Sequence, residues 1–446
     1  MNISIIGTGY VGLVSGACLA ELGHRVICVD VDSAKVDTLN AGKCPIFEES
    51  LPAMIERNVD LGRLSATTCL ASAVNQSELS LVALPTPFDG QRIDLSFIKA
   101  IAKDLGHLLA KKRDYHCVVI KSTVVPGTTD DVVRPIIEQA SGKSAGVDFG
   151  LGMNPEFLSE GVAVRDFMHP DRLVFGGVDE RSQAMLEKLY APFKDTPRLR
   201  TNNRTAEMIK YASNALQATL ISFSNEIAGL CATQPQLDAC DVMRGVHLMN
   251  EITAVSANGQ RTSALIARFL SPGCGFGGSC FPKDVSALAA HGRAAEVATP
   301  LLDAVLGINK RQPLKMIEMA ERAVGDLRGR RVAVLGVAFK AGTDDVRESP
   351  AIAVIDSLLA RGASVVAYDP QVKHLSPTRD IAWATNVEQA IHGVDAVLLI
   401  TAWPQFKSVP ALIDKESSPP VLIDGRRFIS PASVKRYAGI GLKGAA

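Results

Sequence analysis

The chain is 446 residues long and 47% hydrophobic, and its 47 Lys and Arg offset 47 Asp and Glu to a formal net charge of zero. That length allows two or three domains with sizeable cores, while the balanced charge, without a long run of either sign, argues against nucleic acid or an anionic membrane as a partner. Nine cysteines, an odd number with no C-x-x-C pair and no His/Cys spacing suited to zinc, point to a reducing, cytoplasmic setting and to no metal site.

The N-terminal "MNISIIGTGYVGLVSGACLA" is apolar enough for a signal peptide but lacks a basic leader, and Gly7, Gly9 and Gly12 take the G-x-G-x-x-G spacing after a short β-like run. A helix through Glu21 and a second strand, "HRVICVD", complete a βαβ unit ending in Asp30. The first glycine permits a tight turn, the second lets backbone approach a pyrophosphate, and the third lets helix pack on strand. The phosphate then sits at a helix N-terminus. Asp30 lies where a carboxylate accepts both ribose hydroxyls and repels a 2′-phosphate, which favours NAD over NADP. "LSLVALPTP", "HCVVIKSTV" and "RLVFGG" are the next strand candidates, spaced for intervening helices as in a doubly wound parallel sheet. Thr86 and Thr123 close two of them, on the side where such sheets bind ligands. This first Rossmann domain is expected over residues 1–202.

Residues 203–312 are mainly helical in pattern and begin with a long connecting helix, "RTAEMIKYASNALQATLISFSNEIAGL". Glu207, Lys210 and Asn214, spaced i, i+3, i+7, share one of its faces. That face is either solvated or presents an amine and an amide to a cleft. The apolar "ALQATLISF" gives the helix a further face for a symmetry mate, so a homodimer or higher oligomer is expected. "FGGSCFPKD", Phe276–Asp284, sets Cys280 on a glycine-rich loop beside a cation and a carboxylate. Most free cysteines are small buried hydrophobes, and Cys18 and Cys274 fit that description; the loop around Cys280 fits a nucleophile. Residues 313–446 repeat the strand grammar in "GRRVAVLGVAFKAGTDDVRESP", with Gly336 after the strand, in "ASVVAYDP", ending at Asp369, and in "VDAVLLITAW" and "PVLIDGRR". They predict a second Rossmann-like domain, without the full glycine fingerprint, for a different nucleotide.

Seven blocks in order, "GTGYVG", "KSTVVPGT", "NPEFLSEG", "AEMIKYASNA", "FGGSCFPKD", "AFKAGTDDVRESP" and "DGRR", make the chain resemble the UDP-glucose/GDP-mannose dehydrogenase family along nearly its whole length. The resemblance implies oxidation of the C6 primary alcohol of a nucleotide-activated hexose to a carboxylate, with two NAD+ per sugar and no free aldehyde released. It implies Cys280 as the nucleophile, through a thiohemiacetal and a thioester, with Lys283 or Lys210 as the cation that favours its thiolate. Lys210 and Asn214 would hold the developing oxyanions, Asp284 and a water at Thr123 would take part in proton removal, and Glu156 would act as base or water-positioner in hydrolysis. For NAD the resemblance implies Gly7, Gly9, Tyr10, Val11, Gly12, Asp30, Lys35, Thr86, Thr123 and Glu160, with Lys283 and Arg347 at the phosphates. For the nucleotide sugar it implies Glu156, Phe157, Leu158, Ser159, Lys210 and Asn214, the "FLSPG" run Phe269, Leu270, Ser271, Pro272 and Gly273, and Gly277, Lys340 and Arg426.

Ser279 and the lysine of "FPKD" argue against N-acetylhexosamine nucleotides within that family. "NPEFLSEG" is similar to the UDP-glucose branch and "SGKSAGVDFG" to the GDP-mannose branch, so UDP-glucose is the expected substrate and GDP-mannose the alternative. The UDP-glucose branch carries a cross-subunit arginine before its "FLNPG"-like run; here Ala264 stands in that place, with Arg261 and Arg268 on either side. A two-electron β-hydroxyacid dehydrogenase would share the first domain but needs neither Cys280 nor the second Rossmann-like domain.

Overall fold

Short runs of branched and small apolar residues build the main sheet of each of the two compact units, Met1–Ser213 and Asn214–Ala446, of this computed structural model. The structure describes residues 1–375 and 379–443. In the first unit the strands are β1 (Asn2–Ile6), β2 (Arg25–Val29), β3 (Leu64–Thr67), β4 (Leu79–Val82), β5 (Cys117–Ile120), β6 (Gly150–Met153), β7 (Leu173–Gly177) and β8 (Arg198–Thr201). Their order is β3-β2-β1-β4-β5-β6-β7-β8. The direction of winding reverses between β1 and β4, which makes the carboxyl ends of those strands the ligand-binding edge of the sheet. β4, β5 and β6 are buried along their whole length, as strands covered by helices on both faces must be.

The expected doubly wound arrangement holds, with one exception. β6 and β7 run antiparallel, Gly152 opposite Gly177 and Met153 opposite Gly176. Three of those four residues are glycines, and a Cβ on Gly152 would stand 2.8 Å from the Gly176 carbonyl oxygen. The helix Tyr10–Glu21 after the glycine turn is buried from Gly12 to Ala20. It lies so close to β2 that a Cβ on Gly16 would come 3.0 Å from Cys28 Sγ. An apolar surface on all sides is what such a burial requires, and it explains the signal-like look of the N-terminus.

The second unit carries β11 (Arg331–Leu335), β12 (Ser364–Tyr368), β13 (Ala382–Trp383), β14 (Ala396–Leu399), β15 (Val421–Asp424) and β16 (Tyr437–Gly439) in the order β13-β12-β11-β14-β15-β16, all parallel. Before them come an antiparallel hairpin, β9 (Thr253–Val255) with β10 (Arg261–Ser263), and the helices Ala239–His247, Phe281–Ala294 and Pro300–Val324. The last of these passes through a buried Pro313. The connecting helix is one element of 29 residues, Asn203–Cys231, and takes the chain from the first unit into the second.

The second sheet repeats the first up to the residue after its second strand. There Asp369 is 1% exposed. One carboxylate oxygen accepts from Val337 N at 2.7 Å, Ala338 N at 3.0 Å and Trp403 Nε1 at 3.0 Å, the other from Gln371 N and Val372 N. Five donors saturate the group. Among the described residues no helix is long and apolar enough to cross a membrane, and no cluster of His, Cys, Asp and Glu is arranged to hold a metal ion.

Candidate active site

The turn after β1 is fixed by contacts that leave no room for side chains. Gly7 has φ +97°, and a Cβ there would stand 2.6 Å from the Ala83 carbonyl oxygen, while one on Gly12 would stand 1.9 Å from the Gly7 carbonyl oxygen. Gly9 has nothing within 4 Å of its Cβ position, so the backbone at the helix N-terminus faces open space of the kind a pyrophosphate fills. Asp30 follows β2. It accepts from Thr8 N at 3.0 Å, from the Thr8 hydroxyl and from Asp32 N at 3.0 Å. Burial pushes its carboxyl up, but these bonds and the Lys35 charge outweigh it and hold the group below the ordinary carboxylate range. An ionised, partly exposed acid with a lone pair to spare suits a ribose hydroxyl, so these residues fit NAD.

Of the other residues expected at the cofactor, Tyr10, Val11, Lys35, Thr86, Thr123 and Glu160 belong to the same unit as this turn, and Lys283 and Arg347 to the second unit. Thr86 and Thr123 lie beyond the ends of β4 and β5, and the Thr86 hydroxyl donates to the Thr123 carbonyl at 2.8 Å. Val11 opens the helix beside Tyr10. The Tyr10 hydroxyl donates to Glu48 and accepts from Gly161 N at 2.9 Å. Glu48, 3% exposed, also accepts from Gly161 N at 2.8 Å and from Val164 N at 3.4 Å. It thereby anchors the segment of Glu160 against the glycine-turn helix. Sequence reasoning missed Glu48.

The shared face of the connecting helix is buried, not solvated. Glu207 is 0% exposed and accepts from Gly127 N at 2.6 Å, Thr129 N at 2.8 Å and the Thr129 hydroxyl at 2.6 Å. It ties the loop that carries Thr123 to the helix. One turn on, Lys210 Nζ lies 2.9 Å from Glu156 Oε1. Burial pushes the Glu156 carboxyl up, yet the Lys210 charge, the bond from Lys210, the Leu158 N–H at 2.7 Å and the Lys121 charge hold it below its ordinary value. Phe157 takes a cation on its ring: the Arg172 guanidinium carbon is 3.8 Å and Lys210 Nζ 5.7 Å from its centroid. Ser159 N donates to Asp166 at 3.1 Å.

In the second unit the thiol stands at the start of a helix. Cys280 is the N-cap of Phe281–Ala294, its carbonyl accepts from Asp284 N at 2.8 Å, and its Sγ lies 3.7 Å from Ser279 Oγ. A helix N-terminus stabilises an anion there. Asp284, 1% exposed, accepts from Asn214 Nδ2 at 2.6 Å and from Lys283 Nζ at 2.5 Å. The Asn214 amide is therefore joined to the carboxylate four residues after the thiol.

The glycines before Cys280 answer to the chain itself. A Cβ on Gly277 would stand 2.2 Å from the Glu348 carbonyl oxygen; Gly278, with φ +82°, lies against the Phe339 ring and donates to the Arg347 carbonyl at 2.9 Å. The thiol loop is thus seated on the "AFKAGTDDVRESP" segment, where Lys340 Nζ lies 5.5 Å from the Phe339 centroid. The Arg347 guanidinium, expected at the phosphates, is exposed and binds both oxygens of Asp345 at 2.9 Å. "FLSPG" is also held from several sides. Asn225 accepts from Gly273 N at 2.7 Å, Gln312 donates to Gly273 O at 2.8 Å, and His247 Nε2 lies 2.9 Å from Leu270 O. Leu270, Pro272 and Gly273 are buried and Ser271 is exposed. Arg426 lies alongside, 3.0 Å from the Gly273 Cβ position, and donates to Ile400 O at 2.7 Å. Arg261 is exposed on β10, and the Arg268 guanidinium lies 4.9 Å from the Phe269 centroid. Cys18 and Cys274 are wholly buried packing residues.

Three models of one family match the chain in order: the UDP-glucose/GDP-mannose dehydrogenase family NAD binding domain over residues 1–194, its central domain over 204–311 and its UDP binding domain over 333–431. The chain belongs to this family. As a member it is an oxidoreductase that uses NAD to act on a nucleotide sugar at C6. It is 42% identical to the UDP-glucose 6-dehydrogenase AglM of Haloferax volcanii, covering 96% of this chain and 97% of that one. With the GDP-mannose 6-dehydrogenase of Azotobacter vinelandii it shares 37%, covering 92% and 94%. The solved structure of a UDP-glucose dehydrogenase from the hyperthermophilic archaeon Pyrobaculum islandicum superposes with a TM-score of 0.89 at 36% identity, covering 99% of this chain and 97% of that one.

Proposed function

We propose that the protein is a UDP-glucose 6-dehydrogenase that takes the C6 alcohol to UDP-glucuronate through Cys280. The observation that carries the reading is the thiol at a helix N-terminus, four residues before a buried Asp284 held by Asn214 and Lys283. Bound NAD+ accepts a hydride from carbon. In the first oxidation C6 loses that hydride while the hydroxyl proton passes to Asp284 or to a water at Thr123, leaving an aldehyde. The Cys280 thiolate adds to the aldehyde carbon, and the thiohemiacetal gives up a second hydride to become a thioester. Water directed by Glu156 cleaves it to the carboxylate and the thiol. The sum is one alcohol, one water and two NAD+ going to one carboxylate, two NADH and three protons.

Lys210 and Asn214, one turn apart on the connecting helix, suit the oxygen that becomes negative in these steps; a well-placed donor of this kind is worth roughly 3 to 4 kcal/mol. The identity to relatives named for UDP-glucose supports that sugar nucleotide, and nine free cysteines support a reducing cytoplasm. Cys280→Ser tests the mechanism. It should keep cofactor and sugar-nucleotide binding but lose turnover, stopping after one hydride or holding a slowly released acyl group visible by mass. Two NADH per sugar at near wild-type rate from that variant refutes the thiol as nucleophile. Parallel assays with UDP-glucose, GDP-mannose, UDP-galactose and UDP-N-acetylglucosamine decide the substrate, and preference for GDP-mannose overturns the assignment of the sugar.

A further inference from the structure

We propose that Lys121, to which the steps above give no task, is a positioning residue for Glu156: its buried ammonium fixes the segment bearing the carboxylate and supplies that carboxylate with a second positive charge. The proposal rests on the reading of Glu156 as the group that directs water to the thioester.

Lys121 directly follows β5 and is 3% exposed. Its Nζ donates to Asn154 Oδ1 at 2.9 Å and lies 3.5 Å from the Asn154 carbonyl oxygen and 3.4 Å from the Tyr190 hydroxyl. The Tyr190 hydroxyl donates to the same Oδ1 at 2.7 Å, Asn154 Nδ2 donates to Val174 O at 3.0 Å, and Asn154 N donates to Ile120 O at 2.9 Å. Asn154 therefore has no slack, and Pro155 fixes its own φ before Glu156 begins. Behind the ammonium stands an aromatic wall: Tyr190 stacks on Phe175 at 5.8 Å between centroids and touches Phe167 and Phe193.

A cation in such surroundings is costly unless something opposes it. Burial pulls the Lys121 amine down to about 8, Glu156 pulls it back up, and Lys210 lowers it further. The same groups act on Glu156 in return, Lys210 from the connecting helix and Lys121 from the end of β5. Two ammonium groups, those of Lys210 and Lys121, thus act on the one Glu156 carboxylate. An apolar residue of the same length would fill the pocket at less electrostatic cost, so packing alone does not account for the charge. It suits a step in which a neutral thioester becomes a carboxylate.

The test is titration of Glu156 by 13C NMR of carboxyl-labelled glutamate, with its signal identified by its loss in Glu156→Gln. Lys121→Met removes the charge; Lys121→Gln removes the charge but keeps a donor for Asn154, and serves if the methionine variant does not fold. In either, the Glu156 midpoint should rise by about half a pH unit or more, and Lys121→Arg should return it toward wild type. An unchanged midpoint in the folded neutral variant overturns the proposal. Because this readout needs no turnover, it judges Lys121 even if the thioester chemistry fails. Where wild type does form an acyl-enzyme, its hydrolysis at a pH below the Glu156 midpoint should slow by about threefold in the neutral variant, the ratio that about half a pH unit gives, while the first NADH forms within about twofold of the wild-type rate. Equal loss in both steps marks a merely structural lysine.

Discussion

Glu207→Gln separates the electrostatic cost of the connecting helix from its packing. Burial pushes the Glu207 carboxyl from an ordinary 4.5 to about 7, against the pull of the Thr129 hydroxyl and of the Thr129 and Gly127 N–H groups, with Asp130 adding to the rise. A raised acid binds its proton in the folded state while the unfolded chain has already released it, so stability falls as pH climbs from 4.5 to 7. At about 1.36 kcal/mol per pH unit the full window is worth about 3 kcal/mol, of which about 2.5 lies between pH 5 and pH 8. Glutamine cannot ionise. Its NH2 also accepts nothing, whereas both oxygens of the protonated acid still accept, from Gly127 N on one and from Thr129 on the other, so the variant should be less stable than wild type at pH 5. Between pH 5 and pH 8 the difference should then move by about 2.5 kcal/mol in favour of the variant. Urea unfolding of both proteins at the two pH values measures this directly, since all other titrating groups cancel in the difference. A variant whose deficit is the same at pH 5 and pH 8 refutes the reasoning.

Lys210→Met leaves the Glu156 carboxylate buried without its closest cation, and the loss should be about 3 to 5 kcal/mol at pH 8, smaller at pH 5, where Glu156 can take a proton; thermal unfolding at both pH values checks it, and Glu156→Gln in the same chain should recover part of the loss. Asp30 should make NAD+ strongly preferred, because a 2′-phosphate would meet an ionised carboxylate; comparable kcat/KM with NADP+ counts against this placement of the ribose. Met208, Leu216, Phe223 and Leu230 are exposed along the connecting helix, the last three at seven-residue spacing, so a second copy should cover that stripe. Sedimentation should give at least twice the 47.4 kDa chain mass, and Phe223→Glu should shift it toward monomer.

The local grammar of the chain was plain to read. A strand, three glycines at fixed spacing, an apolar helix and an acid at the next strand end specify the first βαβ unit by short-range chemistry alone, and the structure places each of them as expected. The shared face of Glu207, Lys210 and Asn214 was equally legible from helical spacing, but not its burial, which depends on partners far off in sequence: Gly127 and Thr129, Glu156, and Asp284. Glu48 was invisible for the same reason. It sits beside another acid in "FEES", and the backbone groups it holds, Gly161 N and Val164 N, lie more than a hundred residues downstream. β6 hid behind the glycines of "GLGM", which weaken a strand signal while allowing the close approach of β7. The glycine-rich loop before Cys280 was legible, but not its seat: Gly277 packs against the Glu348 carbonyl and Gly278 against the Phe339 ring, both roughly sixty to seventy residues downstream.

Asp369 reaches beyond its own sheet. In the first domain the matching acid keeps a lone pair for a guest; in the second, five protein donors leave none, so the ribose berth there is closed. The four-electron oxidation we propose nonetheless calls for two hydride acceptors, and one glycine turn would then receive both, in succession. Halfway through such a cycle spent NADH would have to leave and fresh NAD+ arrive while a half-oxidised sugar stayed behind. On this view the bond to Cys280 is a mooring as much as a chemical intermediate. The enzyme would slow at that exchange whenever NADH is abundant, which ties its output to the redox balance of the cell.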